Sequence, residues 1–200
     1  MLLRVLSLLA PLVVILFAWN KRYTLLWFYA LAGLFFDNLG QLLSMTGKSH
    51  YWPGNLFLLT EYILFSLFYR PFIMKSKRSF GIMFITGVLM VVITTSYNGF
   101  FKFNSYGATI LCALYLIFGL GGFRYLLVHA DLTPVWQKGF FWINTAVFLY
   151  ASGSFLLFLF MSFLLREDLM TLIKIWGNYY VCLNILRYIF LAIGLTRKQQ

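Results

Sequence analysis

The sequence predicts an all-α membrane protein: a polytopic transmembrane bundle of seven helical spans, amino terminus outside and carboxy terminus in the cytoplasm. Three observations carry that prediction. Of 200 residues, 62% are hydrophobic and only 10% charged, against roughly 25% charged in an ordinary soluble domain, and mean hydropathy is +0.85. Aromatic side chains make up 21% of the chain, a usage that suits lipid contact and interfacial belts. The apolar residues also lie in long unbroken runs, whereas barrel strands would alternate over about ten residues. The same composition excludes a soluble catalytic domain, a disordered tail and a disulfide-stapled secreted module.

With about 20 apolar residues needed to cross the hydrocarbon, the spans fall at about 2–18, 23–45, 55–73, 80–97, 106–128, 139–164 and 169–195. Asn20-Lys21-Arg22 closes the first, and Thr46 to Gly54, containing Trp52-Pro53-Gly54, closes the second. The third ends at Lys75-Ser76-Lys77-Arg78, the fourth at Tyr97-Asn98-Gly99 and the fifth at Asp131-Leu132-Thr133-Pro134. Arg166-Glu167-Asp168 closes the sixth, with Asp168 placed to cap the last helix. The first span is read as retained, because Phe17 to Arg22 offers no small-x-small cleavage pattern. Every connection is about ten residues or shorter, so residues 1–200 are expected to form a single transmembrane domain. The span count permits a parallel three-plus-one-plus-three repeat, although the two halves show no convincing sequence match.

Orientation follows from Lys and Arg. Of 16 such residues, 11 fall on the side of the first, third and fifth connections and the carboxy terminus, Arg187 among them, and 5 on the other. The positive-inside rule assigns the 11 to the cytoplasm, with Arg4 a weak counter-indication. The net charge of +11 is therefore scattered along membrane edges rather than gathered on a nucleic-acid-binding face. The six tryptophans, Trp19, Trp27, Trp52, Trp136, Trp142 and Trp176, sit near span ends or in connections, as interfacial anchors do.

Between lipid-embedded helices, close packing of small residues drives association. The second span presents Ala30, Gly33, Asp37, Gly40, Gln41 and Ser44 on one face, and the fifth presents Ala108, Cys112, Tyr115, Gly119 and Gly122. Cys112 and Cys182 read as packing residues. Asp37 and Glu61 are more informative, since a charge deep in a span costs about 2.5–3.5 kcal/mol and marks a paired or functional group. Both are expected roughly 9–12 Å below the outer boundary, on consecutive antiparallel helices. Lys174 and Asn178 in the seventh span reach the same level, and Thr94 and Thr95 lie near it. These positions suggest an outward-opening ligand- or ion-coupling pocket of Asp37, Asn38, Gln41, Glu61, Lys174 and Asn178. The competing reading is a structural Glu61–Lys174 or Asp37–Lys174 ion pair. A second, inner polar group comprises Asn144, Tyr180, Asn184 and Arg187, with Arg187 expected to snorkel to the cytoplasmic edge. Ala151-Ser152-Gly153-Ser154 is a place where the sixth span is free to bend.

No cofactor and no metal are expected. The two histidines, His50 and His129, fall at opposite membrane edges and cannot share a metal, and neither is a base for a serine nucleophile in the bundle. The glycines of Gly119-Leu120-Gly121-Gly122 lie inside a span and do not make a phosphate loop. Lys174 is too near the end of its span for a retinal-type lysine.

Asn55-Leu-Phe-Leu-Leu-Thr-Glu61-Tyr62, and Asn184-Ile-Leu-Arg-Tyr188 leading to Gly194-Leu-Thr-Arg-Lys198, resemble stretches of small uncharacterised bacterial multi-pass membrane proteins. That resemblance implies the bacterial cytoplasmic (inner) membrane and no particular activity. The expected partners are the lipid bilayer and either a second membrane protein or further copies of the chain, and not nucleic acid. The first functional expectation is a sensing or accessory module whose outward-facing polar pocket acts through a partner protein. The alternative is a small transporter or channel using the intramembrane carboxylates as proton or cation sites, with an intramembrane enzyme third.

Overall fold

A computed structural model describes residues 2–18, 24–73, 76–129, 132–167 and 169–197. Trp19, Asn20, Lys21, Arg22, Lys75, Asp131, Asp168 and Lys198 lie outside the described residues, as do the side chains of Arg4, Arg166, Glu167 and Trp176.

The apolar runs form helices: α1 (Leu2–Ala18), α2 (Thr24–Met45), α3 (Tyr51–Ile73), α4 (Lys77–Asn98), α5 (Ser105–Val128) and α6 (Gly139–Glu167). A last continuous run comprises α7 (Leu169–Lys174), a π-helical segment (Ile175–Tyr180) and α8 (Val181–Thr196). A single 3-10 turn, Val135–Gln137, precedes α6. Among the described residues, five stretches are long and apolar enough to cross a membrane: Tyr51–Ile73, Lys77–Asn98, Ser105–Val128, Gly139–Met161 and Gly177–Thr196.

Helix α3 starts four residues before the expected boundary because Trp52-Pro53-Gly54 is its first turn rather than a break. The first amides of a helix have no intrahelical partner, so proline loses nothing there. Helix α4 also begins early, at Lys77, with the Ser76 hydroxyl accepting from the Ser79 amide at 3.5 Å. It ends at Gly99, whose φ of +89° suits a residue without a Cβ. Asn104 caps α5 by accepting from the Gly107 amide at 2.9 Å. Its Nδ2 donates to Thr94 Oγ1 and Thr95 Oγ1 at 3.1 and 2.8 Å. Thr94 and Thr95 thus fasten the α4–α5 connection.

The helices close into a ring. Consecutive packing joins α1 to α2, α2 to α3, α5 to α6 and α6 to α8, and the two triplets meet twice, α3 on α5 and α8 on α1. Helix α4 packs outside, against α3 and α5, and buries only Gly87 and Val91. This is the packing order of a three-plus-one-plus-three arrangement. The Ala108–Cys112–Tyr115–Gly119–Gly122 face of α5 is buried along its length. On α2, by contrast, Ala30 and Gly33 are buried whereas Gln41 and Ser44 are exposed.

Helix α6 stays α-helical through Ala151-Ser152-Gly153-Ser154. Gly153 there receives the α8 side chain Leu183, and its carbonyl accepts from the Tyr179 hydroxyl at 3.2 Å. The irregularity lies opposite, in the π segment.

Candidate functional site

Glu61 occupies the middle of α3, about 15 Å from the Tyr51 end, and is buried. This is deeper than the sequence boundaries imply, because α3 includes the turn at Pro53. Its partner is Arg187 of α8: Nη1 donates to Glu61 Oε1 at 2.8 Å, and the two side chains are only 4% and 5% exposed. Arg187 Nη2 donates to Asn184 Oδ1, one turn earlier on α8, at 2.7 Å. Arg187 therefore does not snorkel. A guanidinium gains a fixed charge partner and two directed hydrogen bonds by turning inward.

Aromatic rings enclose that cation. The guanidinium carbon lies 3.8 Å from the ring centroid of Tyr150, 5.1 Å from Tyr188 and 5.4 Å from Tyr29. Each ring presents its negative face to the charge. Tyr150 and Tyr180 are hydrogen-bonded through their hydroxyls at 2.9 Å, which ties the π segment to α6. Tyr29 stacks on Tyr188 with centroids 6.0 Å apart, and its hydroxyl sits beside the Glu61 carboxylate and the Tyr188 hydroxyl. The Tyr188 hydroxyl lies against Gly33, where a Cβ would approach it to 2.7 Å.

Asp37 stands one turn beyond Gly33 on α2, half-buried and within electrostatic range of both Arg187 and Glu61. Among the described residues its carboxylate makes no hydrogen bond or ion pair. Two carboxylates thus face one guanidinium, which leaves a formal charge of −1 on the trio when all are ionised.

Of the six outward residues expected together, the structure joins Asp37 and Glu61 and leaves out the rest. Asn38 is exposed and donates to its own helix at Leu34 O, 2.7 Å away. Gln41, Lys174 and Asn178 are exposed. The ion pair expected at Lys174 is made by Arg187 instead. The π segment widens the turn between Lys174 and Val181, so residues on either side of it do not keep regular helical register.

In the inner group, Tyr180, Asn184 and Arg187 do share one site, and Asn144 does not. Asn144 Oδ1 accepts from the Tyr69 hydroxyl and its Nδ2 donates to Gly119 O, both at 2.9 Å. It clasps α3, α5 and α6 nearer the other end of the bundle. Tyr29, Tyr150 and Tyr188 were not anticipated as site residues; the sequence signal for them is a tyrosine facing the bundle from three different helices. Among the described residues no three His, Cys, Asp or Glu side chains gather as a metal site. Comparison with models of known protein families, with curated proteins and with solved structures finds no match to the chain.

Proposed function

We propose that the chain is a multi-pass protein of the bacterial cytoplasmic membrane, a single unit of seven spans with its amino terminus outside and carboxy terminus inside. Within it, a small polar ligand binds in the bundle, and the protein acts as a sensing or accessory module through a partner. The seven-span reading is supported by α1 and α2 packing into the same ring as the more apolar helices. Burial of Arg187 removes it from the edge charges that set orientation, and the remaining basic residues keep the same bias.

The observation that carries the ligand reading is the Asp37–Glu61–Arg187 trio. Each charge inside a span costs about 2.5–3.5 kcal/mol, and such groups pair, line polar pathways or bind. A structural role accounts for Glu61 and Arg187 together, but leaves Asp37 over. The test is purification from native membranes in mild detergent with mass spectrometry of what remains bound. A stoichiometric second protein and a small molecule lost in Arg187→Gln are expected. A chain that emerges with lipid alone overturns the accessory reading.

The packing order favours a second reading as a transporter. Two similarly packed triplets meet around the charged trio, and parallel repeats with a site at their interface are a transporter architecture. Proteoliposomes would then show proton- or substrate-driven flux that Asp37→Asn abolishes. Flux unchanged in both Asp37→Asn and Glu61→Gln removes the carboxylates from the mechanism.

A further inference from the structure

Arg70, in the last turn of α3, and Lys77 and Arg78, in the first turn of α4, gather at one end of the α3–α4 seam. The guanidinium carbon of Arg70 lies 5.1 Å from the ring centroid of Phe80, which seats it against the start of α4. Lys77 stands three residues before Phe80 on the same helical face, and Arg78 follows it. All three cations are exposed, and among the described residues none makes an ion pair. The two carboxylates whose side chains are described, Asp37 and Glu61, belong to the interior group around Arg187.

From these cations onward the seam is apolar and uncovered. Helix α4 packs outside the ring, against α3 and α5, and buries only Gly87 and Val91. Ile82, Ile85 and Leu89 follow Arg78 at helical spacing and are 60%, 59% and 52% exposed. On α3, Leu67 stands one turn from Arg70 and is exposed too. The rise from Arg78 to Leu89 is roughly 16 Å, close to half of a hydrocarbon core about 30 Å thick. At the other end α4 finishes in Tyr97-Asn98-Gly99, which carries no charge. The surface is therefore cationic at one end and apolar for the depth of one leaflet.

We propose that this seam binds one anionic phospholipid of the leaflet at that end, its phosphate among Arg70, Lys77 and Arg78 and its acyl chains along Leu67, Ile82, Ile85 and Leu89. Charge complementarity selects the occupant, because basic clusters between membrane helices recognise anionic headgroups. An apolar partner helix would leave three cations unmatched, and a soluble anion would leave the apolar surface bare. The proposal is independent of the ligand-binding reading above.

The test uses the purified full chain, stripped of lipid by detergent exchange and titrated with phosphatidylglycerol, phosphatidylcholine and glycerol 3-phosphate. Binding is read by native mass spectrometry and by thermal shift. One phosphatidylglycerol should be retained, phosphatidylcholine about tenfold or more weaker, and glycerol 3-phosphate not at all. The triple variant Arg70→Gln/Lys77→Gln/Arg78→Gln should lose that preference. Lys48→Gln/Lys102→Gln, which removes two cations at the opposite end of the seam, should keep it. Arg78→Gln alone leaves the Arg70–Phe80 contact in place and should weaken retention several-fold, so a triple variant that fails to fold does not end the test. Equal retention of the two lipids, or an undiminished preference in the triple variant and in Arg78→Gln, overturns the proposal. An equal loss in Lys48→Gln/Lys102→Gln assigns the effect to net charge and overturns it as well. So does binding of glycerol 3-phosphate as tight as that of the lipid. A dimer that forms without lipid and is lost in the triple variant gives the seam to a second copy of the chain instead.

Discussion

The Arg187 guanidinium carbon sits 3.8 Å from the centroid of the Tyr150 ring, closer than to either of its other two aromatic neighbours. A desolvated cation over an aromatic face is worth about 2 kcal/mol or more. Tyr150→Leu should therefore lower stability by about 2 kcal/mol. Tyr150→Phe keeps the face and loses only the hydroxyl bond to Tyr180, and should cost about 0.5–1.5 kcal/mol. Reversible unfolding of the purified variants in detergent checks the order; an equal loss in both would assign the stabilisation to the hydroxyl.

Breaking the Glu61–Arg187 pair from one side leaves an uncompensated buried charge. Arg187→Met and Glu61→Leu alone should each destabilise by about 3–5 kcal/mol, whereas the double variant should recover much of that loss. A double-mutant cycle measures it. Additive losses would mean that the two charges are not coupled.

Asn144 bridges two other helices, and its removal leaves the buried Tyr69 hydroxyl without its partner. Asn144→Ala should cost about 1–3 kcal/mol. Tyr69→Phe breaks one bond of the same clasp and should lie nearer the average of about 0.6 kcal/mol for interhelical hydrogen bonds in membranes. A larger loss for Tyr69→Phe would contradict the geometry.

Helix α4 is docked on α3 by Tyr62, whose hydroxyl donates to Met83 O at 2.9 Å while its ring lies over Gly87. A Cβ at Gly87 would collide with that ring, whereas one at Gly81 meets nothing within 4 Å. Gly87→Ala should cost about 1–3 kcal/mol as an overpacking change. Gly81→Ala should be neutral or slightly stabilising through helix propensity. Hydrogen exchange along Lys77–Asn98 would show faster α4 opening in the first variant alone.

The helices themselves were largely legible in the sequence, because unbroken apolar runs admit few alternatives. Pro53 misled, since a proline marks a break in mid-helix but is neutral in a first turn. The buried row from Ala108 to Gly122 followed from small residues at helical spacing. On α2 the same pattern runs past Gly33 to Gln41 and Ser44, which are exposed. Glu61 stood out as a charge in an apolar run, but its partner could not be read correctly. Lys174 was placed on the assumption of a regular last helix, and the π segment breaks that register. Arg187 was assigned to the membrane edge by its depth alone. What redirects it is a carboxylate and three tyrosine rings contributed by α3, α2, α6 and α8 itself, a convergence that no single segment contains.

The ring closes only where the last helix meets the first, and its central pair joins residues 126 positions apart in the chain. At about 5–20 residues per second, roughly 6–25 s of translation separate the emergence of Glu61 from that of Arg187. For that interval Glu61 has no Arg187 to pair with, and α1 has no α8 to pack against. The pair at the centre of the bundle is thus made only after synthesis has reached α8, so closure of the ring is a late event.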